Sequence, residues 1–385
     1  MTNLERLCAS IGRGRADRVM TYDLLDNAAI LKKYGGWDDR RSYGFSELAE
    51  INARALAGIG VDITRGMYDP VNHWMAGKIA SWIRFLGVDA AGWDVRQSGE
   101  TAWIAKRPFH DLAGLARNMP RMPLEAEVEA WYGPFIEEVT AIYRQSGVVM
   151  IGGLEGPLCD AYTYTDMELF MLAMYDAPEL CEQLMDVTCE FSRIMADVFV
   201  RRSNVPVQFM GEDMAYKSGP IFNPAFLRES VLPRWRRIMA PIRRAGGVFI
   251  LHTDGRYGAL LPLIFDELGA DALNPIERNG CNDIFEIFAA YPRKMYFGNV
   301  CCETTLPFGN VHDVEDEVLE LLERIPGAGG TIFIGSSSEI HDRVPIENAE
   351  VLYRTVHEYG ALPIDLDRVR RRRADIRPKL AFRRA

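Results

Sequence analysis

The sequence predicts an α/β fold of the (β/α)8 barrel type, a TIM barrel, and three observations carry that expectation. Eight short apolar runs recur along the 385 residues, each rich in β-branched or large side chains, as strands buried on both faces require. Long amphipathic stretches separate many of them, with apolar residues three and four apart. Polar and titratable residues then fall repeatedly where a run ends, and a parallel barrel collects its reactive groups there.

Taken in order, the candidate strands are 19–24, 61–67, 148–153, 207–210, 248–251, 270–273, 295–297 and 331–334. A helical pattern at 45–58 follows the first strand. Residues 166–201 and 224–244 carry long apolar stripes, and 260–268 ends at Gly269, a residue suited to a left-handed C-cap. Further helices are expected at 282–290 and 314–322. The insertion at 93–123 reads as a small β-hairpin, 93–96 against 101–105, turning at Ser98-Gly99 and hanging over one rim. An open doubly wound sheet is the alternative. It calls for a Gly-rich phosphate turn after the first strand, and Asp23-Leu24-Leu25-Asp26 is not one. The expected organisation is one barrel over 1–365 and an Arg-rich tail over 366–385.

Composition narrows the function classes. A net charge of −10 argues against nucleic acid as the main partner, because phosphate binding needs a basic face. No stretch approaches the roughly 20 apolar residues needed to cross a bilayer, and the N-terminus has no apolar secretory core. Seven scattered cysteines favour reduced thiols and a cytoplasmic setting. The tail is the exception in charge: from Arg368 onward, eight arginines and Lys379 face Asp375 alone. A solvated, frayed helix end is the plain expectation. Docking onto an acidic partner or another subunit is the alternative, and a homo-oligomer is compatible with it.

The strand ends supply Asp69 after the second run, Glu155 after the third, and Glu212-Asp213 after the fourth. His252-Thr253-Asp254-Gly255 follows the fifth, Asn274 and Glu277 the sixth, Cys301-Cys302-Glu303 the seventh, and Glu339-Ile340-His341 the eighth. In extended backbone, residues i and i+2 point the same way, so His252 and Asp254 can grip one ion. They can equally be hydrogen-bonded in place, with Asp254 capping the next helix. Glu339 and His341 repeat that spacing, suiting metal or substrate contact as well as loop hydrogen bonding. Adjacent cysteines point to opposite faces, so at most one, such as Cys301, offers a thiolate to the cavity; small apolar filler is the other role. Glu212 and Asp213 repel each other, which raises one pKa and prepares a general acid. Tyr162 and Tyr164 can donate to an anionic intermediate or simply pack.

In this order the segments resemble the uroporphyrinogen decarboxylase superfamily. Those carrying the likeness are Gly60-Val61-Asp62, Gly211-Glu212-Asp213, Gly219-Pro220, His252-Thr253-Asp254-Gly255, Gly269 to Pro275, Gly298-Asn299-Val300 and Pro345-Ile346-Glu347-Asn348. The resemblance spans nearly the whole chain and leans toward the corrinoid-linked methyltransferase and demethylase-like members. It implies an essential aspartate seven residues after Asp62, which is Asp69. The basic segment with which the haem-pathway decarboxylase meets its acidic tetrapyrrole is missing near Gly12-Arg13-Gly14-Arg15. In the methyltransferases, zinc is held by His-x-Cys after strand five and a distant Cys; here Asp254 replaces the first Cys and Ser338 stands near the second. The resemblance therefore implies a harder N/O site at His252 and Asp254, completed by Glu155, Glu339 or Cys301. Methyl transfer between a small, methoxylated substrate and a corrinoid protein or thiol is the expected reaction, with Asp69, Glu212 or Asp213 managing the proton and Tyr162, Asn274, Glu277 and His341 contacting substrate. Decarboxylation of a carboxylic acid, with Asp69 and Tyr164 assisting, is the alternative; a non-catalytic corrinoid or tetrapyrrole cradle is a third.

Overall fold

Eight parallel strands close on themselves in the computed structural model, which describes all residues except 13, 15, 67–73, 99–100, 279–281, 326–329 and 383–385. The barrel strands are β1 (Met20–Thr21), β2 (Ile63–Thr64), β3 (Val149–Met150, continuing as Gly152–Glu155), β4 (Val207–Gly211), β5 (Val248–His252), β6 (Ala272–Asn274), β7 (Met295–Phe297) and β8 (Ile332–Ile334). Pairing runs from β3 through β4, β5, β6, β7 and β8 to β1. The Val149–Met150 part of β3 pairs with β2. A parallel bridge from Tyr22 to Ile63 then joins β1 to β2 and completes the ring. The expected barrel is thus the observed one, and the open-sheet alternative falls away.

The strands are short because closure, not length, buries them. Val248 to His252 are all buried, as a strand covered on both faces must be. Phe297 stacks on Phe333 with centroids 4.0 Å apart, and Tyr22 meets Phe297 edge-on, so three neighbouring strands are tied by their rings. A polar contact locks the closing seam. Asp23, 1% exposed, accepts the Ser336 backbone N–H at 2.7 Å, the Ser336 hydroxyl, and the Tyr353 hydroxyl at 2.7 Å. Burial pushes its carboxyl up to about 6, above the ordinary 3.8, although these donors pull the other way.

Three expectations change. The helical stripe at 166–201 is two helices, Met167–Asp176 and Pro178–Ser203, broken at Ala177. Proline disfavours helical backbone in the residue before it, and Ala177 accordingly sits at φ −148°, ψ 61°. At 260–268 the winding is mixed, Gly258–Leu260 tight and Leu263–Leu268 wide, although Gly269 caps it left-handed as expected. The tail is not frayed along its helix, Leu366–Ile376, although most of its residues face solvent as expected. Its arginines meet the acidic helix Val311–Arg324: Arg372 with Glu315 at 2.6 Å, Arg373 with Asp316 at 2.9 Å, and Arg370 with Glu323 at 3.0 Å. Val369 and Ile376 are buried beside Leu319. Part of the basic run is thus paired within this chain.

The insertion forms the expected hairpin, Asp94–Ser98 antiparallel to Thr101–Lys106; Gly99 of its turn lies outside the described residues. Trp93 and Phe109 from this region pack with Trp82 and Tyr164. No helix among the described residues is long and apolar enough to cross a membrane.

Two outcomes are expected. Because the folded pKa of Asp23 is raised, its stabilising share is full below about pH 4 and is lost as pH rises through about 6. In urea titrations, the stability advantage of wild type over Asp23→Asn should shrink by about 2 kcal/mol between pH 4 and pH 7. Ile376→Ala should cost about 2–4 kcal/mol by opening a cavity against Leu319. The exposed Arg370→Ala should cost less than about 1 kcal/mol in the same assay.

Candidate active site

Strand register assembles the barrel mouth. His252 lies opposite Gly211 of β4 on one side and Asn274 of β6 on the other. The chain continues in step past the strand ends: Glu212 N–H donates to His252 O at 2.9 Å and Thr253 N–H to Asn274 O at 3.0 Å. Asp213 and Asp254, each one residue beyond these donors, are thereby carried to the same spot. Gly255 must be glycine, since it sits at φ 80° and a Cβ there would lie 2.6 Å from Ala215 O.

The result is a three-residue cluster. His252 Nε2 stands 3.5 Å from Asp213 Oδ1 and 3.7 Å from Asp254 Oδ1, and the potential donor atoms all lie within 4.8 Å of one another. Ligands about 2.0–2.2 Å from a common tetrahedral ion sit about 3.3–3.6 Å apart, so the spacing suits one cation. Two further observations point the same way. Asp254 Oδ1 is buried without a hydrogen-bond partner, an arrangement that costs free energy unless a cation fills it. His252 Nδ1 is 2.7 Å from Asn274 Oδ1, and the Asn274 amide is oriented by donating Nδ2–H to Phe297 O at 2.8 Å. An amide oxygen can only accept, so Nδ1 carries a proton and Nε2 is the nitrogen that faces the two carboxylates.

The acids have divided. Burial raises the Asp213 pKa, His252 lowers it and Asp254 raises it again. Glu212 turns into the wall instead, fully buried, and accepts N–H groups from Leu158 at 3.2 Å, Cys159 at 2.7 Å and Trp235 at 2.7 Å. It fills the start of helix Pro157–Thr165, where backbone N–H groups lack helical partners. Gly156 makes room, since a Cβ there would meet the Glu212 carboxylate at 2.3 Å. Burial still pushes Glu212 up to about 8. Glu277 Oε2 accepts Gly255 N–H at 3.1 Å, and burial with the nearby Asp254 charge takes its carboxyl up to about 7.

Several expected groups are placed apart from the cluster. Glu155 faces Lys78 at 3.9 Å, and Glu339 accepts the Ser338 hydroxyl at 2.5 Å. Cys301 is buried, with Thr304 Oγ1 donating to its sulfur at 3.1 Å. None of the three belongs to a potential metal group among the described residues. His341 spends both ring nitrogens locally, Nε2 on Cys302 O and Nδ1 on Arg343 N–H. Tyr164 donates to Asn118 O at 2.5 Å beneath the hairpin and is committed there. Tyr162 borders the site, with its hydroxyl 3.3 Å from Asp213 O and 3.1 Å from Cys159 Sγ. Asp69 lies outside the described residues.

Sequence reasoning missed Arg65. It follows β2 directly, donates to the Tyr22 hydroxyl and the Ser338 carbonyl, and places its guanidinium 4.7 Å from the Phe209 ring centroid. The signal was visible as a cation inside a run read as an apolar strand. Asp213 was noticed as a proton carrier, whereas its carboxylate stands beside His252.

The Asn274 contact has a direct readout. Nitrogen NMR at a pH where the ring is neutral should show His252 of wild type with Nδ1 protonated and Nε2 bare, and Asn274→Ala should shift it toward a tautomer mixture. An unchanged spectrum in the variant would remove Asn274 from this role.

Comparison with known proteins bears on the family and the fold. Methylcobamide:CoM methyltransferase MtaA of Methanosarcina barkeri is 26% identical over 232 residues, covering 59% of this chain and 64% of that protein. The protein of the same name from M. barkeri strain Fusaro / DSM 804 is 25% identical over 237 residues. The match thus spans less than two thirds of these relatives' length. A solved methyltransferase from Methanosarcina mazei superposes over 93% of this chain and 99% of its own with a TM-score of 0.70 at 18% identity, a likeness of fold. Residues 85–359 match the uroporphyrinogen decarboxylase (URO-D) family, and with well over half its length inside that match, the chain belongs to it.

Proposed function

We propose that this protein is a methyltransferase, moving a methyl group between a small, methoxylated substrate and a corrinoid carried by a partner protein, or a thiol. The observation that carries the reading is the convergence of His252, Asp213 and Asp254, with the imidazole tautomer set by Asn274 and Asp254 Oδ1 buried without a partner. One imidazole nitrogen and two carboxylate oxygens form an N/O donor set that suits zinc. When bound there, zinc would polarise the oxygen or sulfur that loses or gains the methyl group. The relatives' printed activity, methyl transfer from a methylcobamide to CoM, supports the same class.

The chain's own residues then divide the remaining work. Asn274 holds the His252 ring at Nδ1 so that Nε2 faces the acids. Asp254 N–H donates to Asp213 Oδ1 at 3.3 Å, which draws the two acid loops together. Tyr162, stacked near Phe222, closes the flank beside Asp213 and keeps water from that side. Glu277, on the far side of Gly255, is the nearby carboxyl that can take or return a proton at its oxygens.

Metal analysis of the full-length protein tests the reading. About one zinc per chain is expected after purification without chelator. His252→Ala and Asp254→Asn should each lower zinc affinity at least tenfold and abolish methyl transfer from methylcobalamin to a thiol. Metal-free protein that releases CO2 from a carboxylic acid would point to decarboxylation instead. Tight corrinoid binding without turnover, unchanged by His252→Ala, would point to a binding protein.

A further inference from the structure

Arg65 is held in the barrel mouth in a way that leaves work for its guanidinium. Both of its hydrogen bonds leave from the same nitrogen: Nη1 donates to Tyr22 Oη at 3.1 Å and to Ser338 O at 3.4 Å. Tyr22 is fully buried and wedged against Phe297, so this support is rigid. The guanidinium lies over the Phe209 ring, 4.7 Å from its centroid. Among the described residues, Nε and Nη2 make no hydrogen bond and no carboxylate forms an ion pair with the group, although neither nitrogen is sealed in the interior. The open edge is therefore the Nε–Nη2 fork, the side on which a guanidinium grips a carboxylate with two parallel hydrogen bonds.

The same Phe209 ring borders the metal cluster, with the His252 ring centroid 5.1 Å away. Arg65 and His252 thus both pack against one buried ring, which sets them near each other at the mouth. Asp213, Asp254, Glu277 and Glu339 make the surroundings acidic, and an anion entering there is repelled unless a cation meets it. We infer that Arg65 is a substrate-anchoring residue that receives a single carboxylate, selecting a small carboxylic acid whose far end reaches His252. The inference rests on the methyl-transfer reading only for what happens at that far end.

Ligand-observed NMR and calorimetry on the full-length protein test this without turnover. The probes are benzoate and propionate, their uncharged amides benzamide and propionamide, and the sulfonate methanesulfonate. Wild type should bind at least one carboxylate at least tenfold more tightly than its amide. Arg65→Gln should abolish that preference, and Arg65→Lys should keep only part of it, because a point charge lacks the fork. Zinc content should be unchanged in both variants, which shows that they are folded and that Arg65 is not a ligand. Equal binding of acids and amides, binding of none of the anions, preference for the sulfonate over both carboxylates, or carboxylate binding that survives Arg65→Gln would each overturn the inference. A protein without zinc that still shows the Arg65-dependent preference would overturn the proposed metal site and leave the anchor standing.

Discussion

The barrel mouth depends on one constraint, the parallel register that sets His252 opposite Gly211 and Asn274 at once. Shifting a strand by one residue would turn its side chains to the other face, so this register is the condition for the site. It gives Glu212 and Thr253 their backbone partners beyond the strands and brings the Asp213 and Asp254 loops together. It also sets Asn274 beside the imidazole, where a single hydrogen bond chooses the tautomer. Barrel closure keeps the register in place, and the buried Asp23 contacts tie the end of β1 to Ser336 just after β8 and to Tyr353 on the helix Ile346–Tyr359.

Electrostatics follow from where each acid lands. Glu212 and Asp213 are neighbours in sequence, yet one fills a helix start in the wall and the other faces the mouth. The wall carboxylate braces Pro157–Thr165 through Leu158 and Cys159, and Trp235 adds a third donor. The mouth carboxylate keeps company with Asp254 and Glu277, a concentration of negative charge that favours a bound cation. Arg65 enters this field from β2 and, among the described residues, is supported on a ring rather than by an ion pair.

Much of the fold was legible because buried parallel strands carry a local signature. Each barrel strand falls within or beside an apolar run, and Gly269 at φ 78° ends its helix as a glycine suited to that conformation should. The break at Ala177 had a local signal in Pro178 that the strong apolar stripe on both sides obscured. The tail was not legible in that way. Its helix is settled by Glu315, Asp316 and Glu323, which lie some fifty residues upstream, and by Leu319 beneath Val369 and Ile376. A basic run alone does not say where its counter-charges are.

By itself, the sequence determined the alternation of strands and helices, the polar strand ends, and the same-side pairing of His252 with Asp254. All of these follow from periodicity and chain geometry over a few residues. Only the tertiary structure decided which of Glu212 and Asp213 would join that pair. It also committed Tyr164 and His341 to hydrogen bonds away from the cluster and made Asn274 a partner of the imidazole rather than a free contact. Those outcomes depend on neighbours 22 to more than 40 residues away that only strand register makes adjacent. A short sequence window holds the donors and acceptors, and the closed barrel decides which of them meet.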